Sequence, residues 1–284
     1  MRISSNKNFK SRHLQTFCIF LFLTLGASCQ DTLSHKCSEY IENFPSYKCR
    51  DEDPFHYSRK STLFLIVKSN QLYSFKVQVR SMESINEINI LYKVSICPGI
   101  SPLQEYLILD KVVMLIVPYF RLGTLKEVVL DEDLSLGTNQ KMRIFEKLVE
   151  SLVCIHKFDI IHVDLHFENV VFNYNLEPYI IDFNNSTFAG DMEVPSFISH
   201  FRSPEIVHSF NANSMHRFSL KDDIYSMGVL LYFILKGRLP LEDHNFRYHV
   251  MITEEILLDK QDYRDVIDIL KASLVVQEQR LSTV

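Results

Sequence analysis

The run Ile160-Ile161-His162-Val163-Asp164-Leu165-His166-Phe167-Glu168-Asn169 concentrates side chains that can do chemistry. His162, Asp164 and His166 alternate. On an extended strand they would share one face, and two imidazoles with a carboxylate could ligate a metal, as in a hydrolase. In a loop between two elements the same residues would be a solvated polar stretch and nothing more.

Further groups stand downstream in order. Asp182-Phe183-Asn184 follows the apolar Tyr179–Ile181, and Phe201-Arg202-Ser203-Pro204-Glu205 comes after it. Then Asp223-Ile224-Tyr225-Ser226-Met227-Gly228 opens an apolar run, and Arg280 precedes Leu281-Ser282-Thr283 near the C-terminus. In this order the motifs resemble those of the protein kinase superfamily, namely H-R-D-L-K-x-x-N, D-F-G, A-P-E, the aspartate of a buried helix and a late arginine. The resemblance covers about residues 58–284. It implies an α+β, bilobal protein-kinase-like fold and transfer of the ATP γ-phosphate to a hydroxyl on protein Ser/Thr or on a glycan.

The roles that follow are those of the family's matching positions. Asp164 would orient the acceptor hydroxyl and take its proton. Asn169 and Asp182 would hold Mg2+ against the phosphates of ATP. Tyr73-Ser74-Phe75-Lys76-Val77 resembles the strand whose lysine grips the α/β-phosphates, and Glu87 would be the ion-pair partner of Lys76; Lys68 is the substitute. Leu115–Phe120 resembles the adenine-binding hinge, with Val117 as gatekeeper and Pro118 and Phe120 beside it. His162, Phe183, Asp223 and a Glu205–Arg280 pair would be structural, with Asp223 buttressing the catalytic-loop backbone.

The sequence also departs from the family. Phe55–Ser61 stands where a glycine-rich loop should cover the phosphates, and no glycine occurs between Gly26 and Gly99. Without glycine the backbone cannot approach phosphates closely. Asn184 replaces the glycine after Asp182-Phe183, and asparagine tolerates the left-handed conformation better than most residues. Val163 replaces the arginine that receives an activation-loop phosphate. His166, placed with the catalytic group, replaces a lysine; this D-L-H form also resembles aminoglycoside- and choline-kinase-like enzymes. The alternatives are therefore a pseudokinase that binds and scaffolds, and a small-molecule kinase.

The elements that must position these residues are legible as periodicities. Thr62–Val67 and Leu72–Val79 read as strands around the turn-prone Lys68-Ser69-Asn70-Gln71. Ile85, Ile88, Leu91 and Val94 mark one face of a helix over 81–95. Tyr106–Leu109 and Val112–Val117 read as a strand pair. Met142, Phe145, Leu148, Leu152 and Ile155 trace a long amphipathic helix. Val170–Phe172 and Tyr179–Ile181 are short strands, Ile224–Leu235 is a buried helix, and Ile256–Leu258 and Val266–Leu274 are closing helices. Residues 31–60 read as polar and irregular. The expected organisation is a leader over 1–29, a cysteine-containing segment over 30–57 and a kinase-like domain over 58–284, with a β-rich lobe at 58–118 and an α-rich one at 119–284.

With 46% hydrophobic and 23% charged residues over 284 positions, the composition is that of a globular chain. The net charge of −5 is mild, and with no basic run it excludes nucleic acid from the expected partners. The stretch Phe17–Ala27, preceded by Arg2, Lys7, Lys10 and Arg12, has the form of a secretory signal peptide. It is short for a membrane span of about 20 residues, so no stable span is expected after cleavage; an uncleaved signal-anchor or a buried helix are the rivals. A route through the secretory pathway makes a Cys37–Cys49 disulfide plausible, with Cys97 as a third partner. Cys154, inside an apolar helical pattern, reads as a buried thiol. No cysteine or histidine spacing suggests zinc. Asn184-Asn185-Ser186-Thr187 contains two overlapping glycosylation sequons.

Overall fold

A computed structural model describes residues 33–58, 60–197 and 199–239. They form two compact units, one from residues 33–88 with Pro102–Tyr119, the other from Asn89–Ser101 with residues 120–239. The expected leader, the closing helices and Arg280 lie outside the described residues.

The first unit begins with helix α1 (Ser38–Ile41) and strands β1 (Lys48–Cys49) and β2 (His56–Tyr57), followed by β3 (Ser61–Lys68) and β4 (Gln71–Val79). Helix α2 (Met82–Lys93) follows and crosses from this unit into the second; β5 (Glu105–Ile108) and β6 (Val112–Pro118) complete the sheet. The sheet is six-stranded and antiparallel, in the order β1-β3-β4-β6-β5, with β2 also on β3. The β3–β4 turn lies at Lys68–Gln71 as expected. Ser69 and Asn70 both take positive φ, 50° and 62°, the conformation of a two-residue turn whose twist matches that of the strands.

Alternation decides which side chains face which way. Phe64 and Ile66 of β3, Tyr73, Phe75 and Val77 of β4, and Met114 and Ile116 of β6 build the core on one face. Residues 33–57, expected to be irregular, cover that face. Leu33, Cys37, Phe44 and Tyr47 are buried there, with Phe44 edge-on to Phe75 at 5.5 Å and Tyr47 edge-on to Tyr73 at 5.3 Å. A Cys37–Cys49 disulfide closes the segment, its Cα atoms 6.0 Å apart. On the other face, Ile85 and Ile88 of α2 pack against Val113 and Leu115.

The second unit adds α3 (Leu125–Leu130), α4 (Thr138–His156), β7 (Ile160–Ile161), β8 (Val170–Phe172), β9 (Pro178–Ile180), β10 (Thr187–Phe188), β11 (Met192–Glu193), α5 (Pro204–Asn211), β12 (His216–Arg217) and α6 (Leu220–Lys236). The strands pair antiparallel as β7 with β10, β8 with β9, and β11 with β12. Helix α6 is buried from Tyr225 to Ile234 and ends on Gly237 at φ 66°, a left-handed stop that glycine adopts without strain. Cys154 on α4 is disulfide-bonded to Cys97, their Cα atoms 5.6 Å apart. This corrects the expectation of a buried thiol: Cys154 is only half-buried, on the flank of α4 next to Cys97. Among the described residues no helix is long and apolar enough to cross a membrane.

Candidate active site

In the first unit, period two puts Lys76 and Gln78 of β4 on the face opposite Phe75 and Val77. Lys76 Nζ donates to Glu87 Oε1 at 2.9 Å and Oε2 at 3.2 Å, and Gln78 Nε2 donates to Oε2 at 2.7 Å. The pair is nearly dry, with side chains 10% and 3% exposed. A buried ion pair tolerates desolvation only when its remaining hydrogen-bonding capacity is met, and Gln78 supplies that extra donor. Lys68, the substitute, is instead on the surface with Glu105 at 3.3 Å. Val117 and Pro118 close β6; Val117 is partly buried against the Ile88–Val113–Leu115 cluster. The Tyr119 N–H is taken by Leu72 O at 3.3 Å.

In the second unit, β7 leads straight into His162–Asn169, which is not a strand. Val163 has φ 69°, a strained conformation for a β-branched residue, costing on the order of 1–3 kcal/mol. Asp223, fully buried in the first turn of α6, holds the chain there. Its carboxylate accepts the backbone N–H of His162 at 2.8 Å and of Val163 at 2.9 Å, and His156 Nε2 lies 3.0 Å away. The helix N-terminus adds a favourable field for the carboxylate. A left-handed Val163 removes the shared face that a metal triad would need, which overturns that reading. His162 turns inward, its ring 4.8 Å from that of Phe183 and its Nε2 3.0 Å from Ile181 O; both rings are fully buried.

Asp164, Asn169 and Asp182 converge by backbone geometry. Asn169 Nδ2 donates to Asp164 O at 2.9 Å, and Asn169 O accepts the Ile181 N–H at 3.0 Å, which sets Asn169 beside the residue preceding Asp182. The amide oxygen of Asn169 and the carboxylate of Asp182 are the hard oxygen donors that suit Mg2+. The left-handed residue after β9 is Asp182, at φ 63°, whereas Asn184 has ordinary negative φ. The expectation that Asn184 serves by tolerating that conformation is therefore corrected. Asn184 and Asn185 instead form the corner of a turn closed by Ser186 N–H on Phe183 O at 3.1 Å.

His166 is partly buried, its ring 5.9 Å from that of Phe201, and burial pushes its imidazole pKa down despite the nearby Asp164 carboxylate. Arg202, stacked on Phe197 at 3.5 Å, is pushed down to about 10 by burial, against the opposing pull of Asp164 and Asp222. Ser203 caps α5 and donates to Asp222 Oδ1 at 2.8 Å; His216 Nε2 and Ser219 N reach Asp222 Oδ2 at 3.1 and 2.9 Å. Glu205 sits in the first turn of α5. Phe120 packs its ring on Tyr179 at 4.8 Å.

The model of the protein kinase domain matches residues 57–282. The chain belongs to that family. This kinase domain is 28% identical over 161 residues to a probable serine/threonine-protein kinase of Dictyostelium discoideum, covering 56% of this chain and 19% of that protein. It is 24% identical over 230 residues to human myosin light chain kinase 2, covering 76% and 36%, and 27% identical over 172 residues to the serine/threonine-protein kinase kin-29 of Caenorhabditis elegans, covering 58% and 20%. The chain thus spans well under half the length of these relatives. Within the kinase domain, three residues escaped the motif reading: Gln78, Asp222 and Asn185. Only Gln78 left a signal, its two-residue spacing from Lys76 along a strand.

Proposed function

We propose that this kinase domain transfers the γ-phosphate of ATP, with Mg2+, to a hydroxyl on protein serine or threonine. The observation that carries the reading is the Lys76–Glu87 ion pair, formed at 2.9 Å and reinforced by Gln78. A lysine so held presents its ammonium in a fixed place for the α/β-phosphates. Asp182 and the Asn169 amide oxygen would hold Mg2+, which neutralises phosphate charge when bound. The backbone of Val117–Phe120 would meet the adenine. Asp164 orients the acceptor hydroxyl and takes its proton as the oxygen attacks the γ-phosphorus and the bond to ADP breaks. The similarity to serine/threonine-protein kinases favours serine/threonine acceptors, and a glycan hydroxyl is the alternative.

The two disulfides support an oxidising compartment, in keeping with the leader expected over 1–29 and a secretory location, either released or signal-anchored. A second reading, a nucleotide-independent binding module, is favoured by one observation. The β2–β3 turn at the phosphate-loop position is closed by serines, Ser58 N–H on Ser61 O at 2.7 Å, with no glycine.

Mg2+-dependent ATP binding followed by thermal shift, and ATP turnover with and without Asp164→Asn, separate the two. The kinase reading expects binding and a fall in turnover of about 10²–10⁴-fold in the variant. A chain that neither binds nor turns over ATP is a binding module. Comparing casein with glycan acceptors then separates the acceptor classes.

A further inference from the structure

Asp164 has two carboxylate oxygens, and its surroundings use them unequally. Oδ2 accepts the side-chain amide of Asn185, Nδ2 to Oδ2 at 3.2 Å. His166 Nε2 lies 3.9 Å from the same oxygen, too far for a hydrogen bond. Oδ1 has no partner among the described residues. Asn185 is therefore the one side-chain donor to this carboxylate among the described residues.

Asn185 is itself held. The turn that carries it is closed by Ser186 N–H on Phe183 O at 3.1 Å, and Ser186 Oγ donates to His162 O at 3.3 Å, two residues before Asp164. Thr187 then pairs with Ile161 in the β7–β10 ladder. The turn is thus tied to the stretch leading into Asp164 by two successive links beside the Asn185–Asp164 contact. An amide facing a carboxylate must present its nitrogen, because its oxygen can only accept. His166 cannot replace it: the Glu168 N–H uses His166 Nδ1 at 3.2 Å, which turns the ring edge without closing the gap to Asp164.

We infer that Asn185 is a positioning residue for phosphoryl transfer, its amide pinning Oδ2 of Asp164 so that Oδ1 alone faces the acceptor hydroxyl. The inference rests on the kinase reading. It also bears on the sequon Asn185-Ser186-Thr187, since the nitrogen that donates to Asp164 is the one a glycan would occupy. Ser186 and Thr187 are buried, at 4% and 9% exposure, and a sugar on that nitrogen would compete with its bond to Asp164.

The test uses the full chain expressed through a secretory route, with Mg2+-ATP and casein as probes and ATP hydrolysis as the acceptor-independent readout. Asn185→Leu keeps the size and removes the donor; Asn185→Asp sets an acceptor against Asp164. We expect kcat to fall about 10-fold in Asn185→Leu, as for loss of a hydrogen bond to a charged group, and further in Asn185→Asp. KM for ATP, the ATP-induced thermal shift and Tm stay at wild-type values. Wild-type kcat in Asn185→Leu overturns the inference, as does a parallel loss of kcat, ATP affinity and Tm, which marks a structural residue only. An N-glycan found by mass spectrometry on Asn185 of the turnover-competent fraction also overturns it. If wild type and Asp164→Asn are equally silent, the kinase reading has failed and the inference goes with it, a pattern distinct from a wild type that works and an Asn185→Leu that works equally well.

Discussion

The Lys76 cluster and the Asp164 loop position their charges by opposite means. Lys76, Gln78 and Glu87 project from a strand and a helix of ordinary geometry, and strand alternation with helical pitch brings them together. The His162–Asn169 loop has no such regularity. A left-handed valine is held by a carboxylate buried in the first turn of α6, Asp223, with two backbone N–H groups converging on it. One region places a charge by periodicity; the other places it by satisfying the polar groups of an irregular chain. The second arrangement concentrates its stability in a single side chain, and that gives the comparison its sharpest test.

Asp223→Ala should have the largest effect. It strands the His162 and Val163 N–H groups in a buried site and releases the strain at Val163 with nothing to oppose it. A loss of about 3–5 kcal/mol is expected, read by chemical denaturation with m unchanged. A loss under about 1 kcal/mol would mean that the loop holds itself and that the contrast between the two regions is false.

Lys76→Met should cost less, about 2–3 kcal/mol, because Gln78 still donates to the Glu87 carboxylate left behind. The double variant Lys76→Met/Glu87→Leu should recover most of that loss, since apolar replacement of a buried pair is often neutral. Both variants should lose the Mg2+-ATP thermal shift. If the double variant is no more stable than the single one, the carboxylate was not the source of the cost, and the pair stabilises by packing alone.

The same contrast explains what could be read in advance. The strands of the first unit, the turn at Ser69-Asn70 and the Lys76–Glu87 pair follow from alternation, turn chemistry and pitch, all local properties of sequence. The Asp223 contact followed from the family's pattern, since nothing local to Asp223 points to His162. The sequence of residues 31–60 shows no regular pattern because the anchors within it, Leu33, Phe44 and Tyr47, are scattered without period and bury only against a sheet formed later in the chain. An apolar helical pattern says nothing of what lies beside the flank that carries Cys154. The Cys97–Cys154 bond is a tertiary fact. Gln78 and Asn185 are inconspicuous in the sequence because an amide is common on any strand or turn, and only the carboxylate opposite gives it a role.

The smallest effect expected is at Asn184, and it probes the division between regular and irregular positioning most finely. Had Asn184 carried the left-handed conformation, glycine there would relieve strain and stabilise the turn by about 1 kcal/mol. The positive φ belongs to Asp182, two residues earlier, and Asn184 has no such strain to lose. Asn184→Gly therefore gains little from the backbone and loses about 0.5–1 kcal/mol through the freer unfolded chain. Against this, Asn184 Oδ1 is buried with no hydrogen-bond partner among the described residues, and removing it returns a comparable amount. The two nearly cancel, so Tm should move by no more than about 3 °C in either direction. A stabilisation well beyond that would place the strain at Asn184 after all, and Asp182 would then owe its position to the turn and not to the Ile181–Asn169 backbone bond.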